Sequence, residues 1–318
     1  SRNLGTGGNF SDPAAAMAEE EPEVLTEAIL DLSNLGRTVD GSGFAFLGAS
    51  CIGKRLGPIK IMEGYTFLQT LDFSDNMIKD IAPLKGLSLL VKLNLAKNAI
   101  VNLKGWESEE AIFPNLVELN LSDNQLTVLH AMPYQALSSL SVARNEIAAC
   151  ELGGHEKIQT LDVSSNKLPS LTGLGALPSL RMLNASNNEI ADLNGINEAP
   201  ALEELELGHN KLQGLEGPWT ELQTLRNLDL SHCLLEAEKP LEVLRQLPIL
   251  RKLKVSGNPF TEAGNTTVRV LICHWRLESV DDVSITQEHL EEAKALNQQR
   301  VLEERERLKE EAAKADDA

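Results

Sequence analysis

The chain has 318 residues, a formal net charge of −18 at pH 7 and a sequence pI near 4.8. An acid-rich chain of this kind lacks the Lys/Arg patches that bind phosphate backbones or anionic bilayers, so we expect neither a nucleic acid nor a membrane as its partner. No apolar run approaches the ~18 residues of a membrane span, and no basic segment leads into an apolar one, so we also expect no secretory signal.

The N-terminal region divides into two predicted parts. Residues 1–21 are rich in Gly, Asn, Ser and Ala, and we interpret them as a disordered linker or an expression-vector remnant, with Met17 as the natural start. In residues 22–46 the apolar positions recur at spacings of three and four: Val24, Leu25, Ala28, Ile29, Leu32 and Leu35. This pattern predicts a helical cap over the N-terminal end of the core.

Residues 47–262 contain an internal repeat. The pattern L-x-x-L-x-L-x-x-N-x-L first appears as "LQTLDFSDNMI" at Leu68, and the last of nine copies is "LRKLKVSGNPF" at Leu250. Before them, "SCIGKRLGPIKI" looks like a degenerate copy that lacks the Asn. The Asn-like positions are Asn76, Asn98, Asn124, Asn145, Asn166, Asn188, Asn210, Cys233 and Asn258.

The repeat length predicts the architecture. Successive Asn-like positions lie 21 to 26 residues apart, which leaves no room for a full convex helix, so we expect 3₁₀ turns or short helices there. Each repeat contributes one strand to a parallel concave sheet and its Leu side chains to a core shared with its neighbours. The Asn amides are expected to bond to loop backbone groups and to form a structural ladder.

The C-terminal region is predicted to cover the other end of the stack. We assign residues 263–285 to a C-terminal cap and residues 286–318 to a charged helix, from about Thr286 to about Lys314, opened by a capping box of Ser284 and Gln287. The apolar stripe of this helix weakens after Leu302. Two readings stay open, a solvated helix that frays and a helix that docks a partner.

The nine repeats resemble those of the leucine-rich-repeat family, in its short intracellular variety, and residues 263–285 resemble that family's C-terminal cap. The resemblance implies an α/β solenoid, a curved slab with a parallel concave sheet. It also implies a non-enzymatic scaffold that binds other proteins and needs no cofactor.

The opening "LTEAILDLSNLGRTVDGSGFAFL" further resembles the start of a leucine-rich-repeat component of axonemal radial spokes. This implies a cytoplasmic, cytoskeletal adaptor in the axoneme of motile cilia or flagella, with radial-spoke or other axonemal subunits as partners. The alternatives are a regulator of the phosphatase-1 type, which grips its enzyme with acidic and aromatic concave residues, and a dynein- or tubulin-binding adaptor.

The concave face is the predicted protein-binding surface, because the residue between the two inward apolar positions of each strand points outward. The predicted binding residues are Asp72, Asn94, Asn120, Asp162, Asn184, Glu206, Asp229, His209 and His232. The column two residues later is uniformly small and leaves a trough without aromatic or Arg anchors. We therefore expect a basic or amphipathic segment to dock across Asp162, Glu206 and Asp229.

Few residues suggest chemistry. His209 and His232 occupy equivalent positions in adjacent repeats, about 4.8 Å apart, and Cys233 follows, so a metal or thiolate site is the rival interpretation. The same column offers Asn187 and Gly257 and hence no clear third ligand. We expect no catalytic residue, metal or cofactor, an outward His232, and a buried, unreactive Cys233 at a ladder position. The four scattered cysteines fit a reducing compartment.

Overall fold

The computed structural model describes residues 21–106, 112–132 and 134–316, so the predicted linker lies outside the described residues except for Glu21. The strands are β1 (Asp31–Arg37), β2 (Phe44–Ser50), β3 (Thr70–Asp72), β4 (Lys92–Asn94), β5 (Glu118–Asn120), β6 (Val128–Leu129), β7 (Ser139–Ser141), β8 (Ala149–Cys150), β9 (Thr160–Asp162), β10 (Met182–Asn184), β11 (Glu204–Glu206), β12 (Asn227–Asp229), β13 (Lys252–Lys254), β14 (Ser279–Val280) and β15 (Val283–Ser284). The helices are α1 (Thr266–Cys273) and α2 (Gln287–Asp316).

All strands except β6 and β8 join one 13-stranded sheet, in which the repeat strands are parallel and pair in strict register. Leu71 pairs with Leu93, and Leu93 with Leu119, because each strand holds the same place in its repeat. Alternate residues of a strand face opposite sides, so these leucines are buried in a continuous core while their neighbours line the concave face. The predicted solenoid with a parallel concave sheet is confirmed.

The convex side carries short 3₁₀ segments, as the repeat length predicts. They span Lys60–Gly64, Ala82–Leu84, Ile196–Glu198, Trp219–Glu221, Lys239–Gln246 and Pro259–Ala263. Repeats that begin at Leu116 and Leu137 differ, because β6 and β8 pair there as a small parallel sheet. The sequence pattern did not indicate this convex pair.

The N-terminal cap corrects the sequence-based prediction, since residues 22–46 contain no helix. β1 and β2 form an antiparallel hairpin, and β2 pairs in parallel with β3. Leu25 is buried before a turn at residues 27–29 and Leu30 after it, whereas Leu32 belongs to the strand β1 and is partly buried against the core. β2 supplies the backbone partners of β3, so the sheet continues through the hairpin and ends at β1.

The C-terminal cap folds back on the last repeat. α1 packs against α2, whose Leu290, Ala293 and Leu296 lie on the core side. α2 begins not with Ser284 and Gln287 but with Thr286, whose hydroxyl accepts the His289 N–H at 3.3 Å while His289 Nδ1 accepts the Thr286 N–H at 3.3 Å. This reciprocal pair caps the helix in the same way as a capping box, two residues later than predicted.

Candidate protein-binding surface

The predicted binding column is aligned by the sheet register. Asp72 stands beside Asn94, Asn184 beside Asp162 and Glu206, and Glu206 beside Asp229. Neighbouring members are therefore one strand spacing apart, about 4.8 Å. The structure thus brings the sequence-predicted strand residues together as one continuous polar row along the concave face.

Most members of this row also have a structural role that the sequence analysis missed. In six of them a side-chain oxygen accepts the N–H of the residue two positions later, at 2.8 to 3.1 Å: Asp72, Asn94, Asn120, Asp162, Asn184 and Asp229. These Asx turns end each strand and explain the recurrence of Asp and Asn. Glu206, with a longer side chain, makes no such turn and leaves its carboxylate available to a ligand.

Negative charge is concentrated around Glu206. Burial raises the pKa of Glu206 above its ordinary value, and the carboxylates of Asp229, Glu204 and Asp162 raise it further, while Lys254 opposes them. The ammonium group of Lys254 lies 3.1 Å from the carboxylate of Asp282, which partly neutralises its charge. This half of the concave face therefore favours a cationic group from a partner.

His209 and His232 lie on the rim beside this acidic region, as the repeat alignment predicted. Their rings stack with centroids 4.2 Å apart and an interplanar angle of 8°. Both residues have left-handed backbone, with φ of 58° and 51°. Parallel stacked rings direct their nitrogen lone pairs alongside each other and not toward one shared point, so this arrangement does not form a two-histidine metal site. Among the described residues, no group of three or more His, Cys, Asp or Glu side chains is placed to hold a metal ion.

The Asn positions bridge consecutive repeats. Asn98 Nδ2 donates to the carbonyls of Phe73 at 2.9 Å and Leu95 at 3.0 Å, and its Oδ1 accepts the Ile78 N–H at 3.0 Å. The same pattern recurs at Asn124, Asn145, Asn166, Asn188 and Asn210. These amides satisfy backbone groups that would otherwise be buried without partners.

Cys233 occupies the ladder position of its repeat and is 2% exposed. Its Sγ lies 3.5 Å from the Leu207 carbonyl oxygen and 3.7 Å from that of Ser231. Burial raises the pKa of the Cys233 thiol to about 11, against backbone hydrogen bonds from Asn210 and Leu212. A thiol with this pKa is a poor nucleophile at neutral pH, and the exposed His232 ring is stacked on His209 instead of approaching the sulfur.

The concave surface has aromatic residues that the sequence analysis missed. Phe44 and Phe46 on β2 are 70% and 41% exposed, and Leu35, which pairs with Phe46 across the hairpin, is 64% exposed. They share a face with Gly48, whose register partner Thr70 lies on the concave side of β3. The sequence "FAFLGAS" places Phe44 and Phe46 at alternate positions, a spacing that predicts a strand with both rings on one face. This signal was missed because residues 22–46 were interpreted as a helix.

The C-terminal helix is anchored over its first half. Arg300 of α2 donates to Glu238 at 3.0 Å, and Glu238 also pairs with Arg269 of α1. Beyond this point the apolar side chains of Val301, Leu302 and Leu308 are exposed. Docking of a partner on this end stays a prediction.

Comparisons with known proteins agree with this architecture. The family model described as Leucine Rich Repeat matches residues 115–134. The chain is 27% identical over 166 residues to "Leucine-rich repeat-containing G-protein coupled receptor 5" of Rattus norvegicus, and 28% identical over 154 residues to "Leucine-rich repeat-containing protein 23" of Bos taurus. These alignments cover 50% and 47% of this chain, but 18% and 37% of the relatives, so the chain spans well under half the length of either.

Solved structures show the same fold. The chain superposes on the LRIM1/APL1C complex with a TM-score of 0.59 and 23% identity, over 73% of this chain and 42% of that one. At this identity the likeness establishes the fold alone. Across the part of the chain that the structure describes, no helix combines the length and apolar character needed to cross a bilayer.

Proposed function

Because the chain belongs to the leucine-rich-repeat family, we propose that it is a non-enzymatic scaffold that binds other proteins on its concave face, as a structural subunit of axonemal radial spokes in motile cilia or flagella. Each repeat packs only on its neighbours, which gives a stiff curved slab with a long continuous surface. Such a slab can hold several partners at set positions without any catalytic group.

The observation that carries the binding proposal is the crowding of carboxylates around Glu206. The pKa of the Glu206 carboxyl is higher in the folded chain than in the unfolded chain. Above both pKa values the carboxyl is ionised, and the folded state is then less stable because its environment disfavours the charged form. A Lys or Arg side chain of a partner would relieve this penalty. We therefore place the docking of a basic or amphipathic segment across Asp162, Glu206 and Asp229.

Support for the axonemal assignment is a resemblance. Residues 25–76 look like the opening of leucine-rich repeat-containing protein 23, which we take as a radial-spoke component, and the bovine protein of that name is 28% identical to this chain over 154 residues. On this proposal the protein is located in the cytoplasm, on the axonemal cytoskeleton, and its partners are radial-spoke or other axonemal subunits.

Two experiments test the proposal separately. A tagged chain should localise along motile flagella and disappear from them when radial spokes are lost, whereas a diffuse or nuclear signal would remove the axonemal assignment. For the binding face, Asp162→Asn, Glu206→Gln and Asp229→Asn together remove three charges while keeping the Asx-turn acceptors. This variant should lose its partner.

The matched control neutralises three exposed acids of the convex side, by Glu198→Gln, Glu216→Gln and Glu221→Gln. The control changes net charge equally and should keep the partner bound. A concave-face variant that binds its partner as well as the unmodified chain does would contradict docking at the acidic half of the concave face.

One observation favours a second candidate, a regulator of the phosphatase-1 type. The absence of concave aromatic residues counted against it, yet Phe44 and Phe46 extend the concave surface at its N-terminal end. Co-purification of phosphatase-1 activity with the tagged chain, lost on Phe44→Ser/Phe46→Ser, would favour this candidate over the structural one.

A further inference from the structure

The C-terminal cap carries a pocket of about 260 Å³ between two stretches of chain. One stretch leads from the 3₁₀ segment Lys239–Gln246 into β13, and the other joins α1 to β14. Neither Asp nor Glu is among the described residues that line the pocket, whereas two arginines are. The pocket is therefore a cationic site in a chain whose net charge is −18. We call it the cap pocket and define it by Arg245, Leu247, Pro248, His274, Trp275 and Arg276.

The two arginines of the cap pocket are held in place by backbone carbonyl groups. Arg245 Nε donates to the Cys273 carbonyl at 3.0 Å, and its Nη2 donates to the Ile272 carbonyl at 3.1 Å. In return, Arg276 Nη1 donates to the Pro248 carbonyl at 3.0 Å. These neutral oxygens fix both guanidinium groups without cancelling their charge. Each guanidinium has five N–H groups, so several remain for a ligand, and a preorganised site loses little conformational entropy on binding.

The positive charge of this pocket is not neutralised by a hydrogen-bonded carboxylate. Arg276 is exposed and forms no ion pair with a described residue. The Glu242 carboxylate lies 3.7 Å from Arg245 Nη2, which is beyond hydrogen-bond length, and both side chains are about half exposed. By contrast, Arg251 at the entry to β13 lies 3.1 Å from the Glu278 carboxylate. The cap pocket thus leaves two guanidinium groups available to an anion from outside the chain.

Trp275 adds an exposed aromatic side chain next to these charges. The chain has three tryptophans, of which Trp106 and Trp219 are fully buried, whereas Trp275 is 39% exposed. Trp and Arg are the residue types that most often dominate the binding energy of protein interfaces. The pocket therefore combines an apolar anchor with two charged ones.

His274 leaves one polar atom of the pocket wall without a partner. Its ring is 4% exposed, and its Nε2 lies 3.0 Å from the Leu247 carbonyl oxygen. No described group forms a hydrogen bond with its Nδ1. Buried polar atoms are normally satisfied by the protein, by water or by a ligand, so this wall is one that a polar ligand and its ordered water can complete.

An acidic protein segment fits these features better than other anions do. A carboxylate matches the paired N–H groups of a guanidinium, and an apolar neighbour of that carboxylate can pack on the Trp275 ring. A nucleic acid or an anionic bilayer presents many negative charges over a long surface, which the rest of this acidic chain repels. A short segment with a few carboxylates meets only the cationic pocket.

We propose that the cap pocket binds an acidic segment of a partner protein, with a carboxylate of that segment at Arg245 and Arg276 and an apolar side chain of it against Trp275. This is a second binding surface, opposite in charge to the concave row around Glu206. Two partners of opposite charge can therefore occupy the slab together. The cap pocket depends neither on the docking of a basic segment at the concave face nor on the axonemal assignment.

Fluorescence anisotropy tests the pocket on the full chain, with a short fluorescein-labelled peptide of Glu, Leu and Gly as the probe. The unmodified chain should bind this peptide, although both carry net negative charge, and should not bind the same peptide with Gln in place of Glu. Arg276→Gln should raise the dissociation constant roughly tenfold or more, and Trp275→Ser should also weaken binding. The matched control is Arg37→Gln, which removes an exposed, unpaired arginine of β1 and should leave binding unchanged.

Further arms separate this pocket from the concave face and from a phosphate site. The concave variant Asp162→Asn/Glu206→Gln/Asp229→Asn should bind the acidic peptide at least as tightly as the unmodified chain, because it repels the peptide less. No binding by the unmodified chain up to about 1 mM peptide would overturn the proposal, and so would binding that survives Arg276→Gln. A labelled oligothymidylate that binds as tightly, with the same loss in Arg276→Gln, would assign the pocket to phosphate instead. Circular dichroism confirms that each variant is folded.

Discussion

Replacing Cys233 by Asn should stabilise the protein, because this position is the one interruption in the Asn ladder of the nine repeats. The thiol has one hydrogen and two distant acceptors, at 3.5 and 3.7 Å. At the next ladder position, Asn258 donates to the carbonyls of Leu230 and Val255, both at 2.7 Å, and accepts the Leu235 N–H at 3.1 Å. The substitution therefore adds up to two net hydrogen bonds.

A neutral hydrogen bond contributes about 0.5 to 1.5 kcal/mol net, so the gross gain is about 1 to 3 kcal/mol. Part of it is offset because the amide is larger than the thiol and the site is 2% exposed. We expect a net increase of about 1 kcal/mol in the free energy of unfolding, equivalent to about 2 to 4 °C in Tm if the chain behaves like other domains of its size.

Urea denaturation followed by circular dichroism and Trp fluorescence measures this change, with coincidence of the two probes as the check on two-state unfolding. The matched control is the reverse swap, Asn210→Cys, which removes bonds from an intact position and should lower stability by about 1 to 2 kcal/mol. A Cys233→Asn protein less stable than the unmodified chain would refute the ladder reasoning, since it would mean that packing at this repeat excludes an amide.

Three other predictions follow from buried polar groups. Glu238→Ala leaves two arginines without their shared carboxylate and should lower the free energy of unfolding by about 3 kcal/mol in urea titrations, whereas Glu242→Ala, which breaks an exposed pair, should change it by less than about 1 kcal/mol. Burial lowers the pKa of His155 from 6.5, so the unfolded chain binds a proton that the folded chain does not, and stability should fall as pH drops below about 6.5. His155→Leu should flatten that slope between pH 7 and pH 5, and an unchanged slope would contradict the assignment. All four cysteines are buried and burial raises each thiol pKa, so a bulky thiol reagent should label none of them within minutes at pH 8 and all of them in denaturant; rapid native labelling would overturn the buried placement.

The repeats were predictable because their structure is local. An inward Leu at every second strand position and an Asn at each turn specify the same backbone path in every copy, and stacking then sets each strand beside the next. For this reason the alignment of Asp72 with Asn94, or of His209 with His232, could be derived from residue spacing. The spacing gave the neighbours but not the stacked orientation of the two rings.

The ends were less predictable because no neighbour repeats them. Leu25, Ile29 and Leu32 have helical spacing, and nothing local in them reveals that β2 will offer a strand to pair with. That partner comes from "FAFLGAS", about a dozen residues later, and the pairing turns Phe44 and Phe46 toward the concave side. The missed aromatic residues are a direct consequence of the missed hairpin.

The sequence alone determined the solenoid, its register, the buried place of Cys233 and the composition of the concave row, because each depends on contacts within one repeat or between identical neighbours. The tertiary structure decided the hairpin cap and the contact between Arg300 of α2 and Glu238. It also decided the Asx turns formed by most of the predicted binding row and the clustering of carboxylates around Glu206. These depend on which distant groups meet in space, and side-chain reach and burial set them only once the chain has folded.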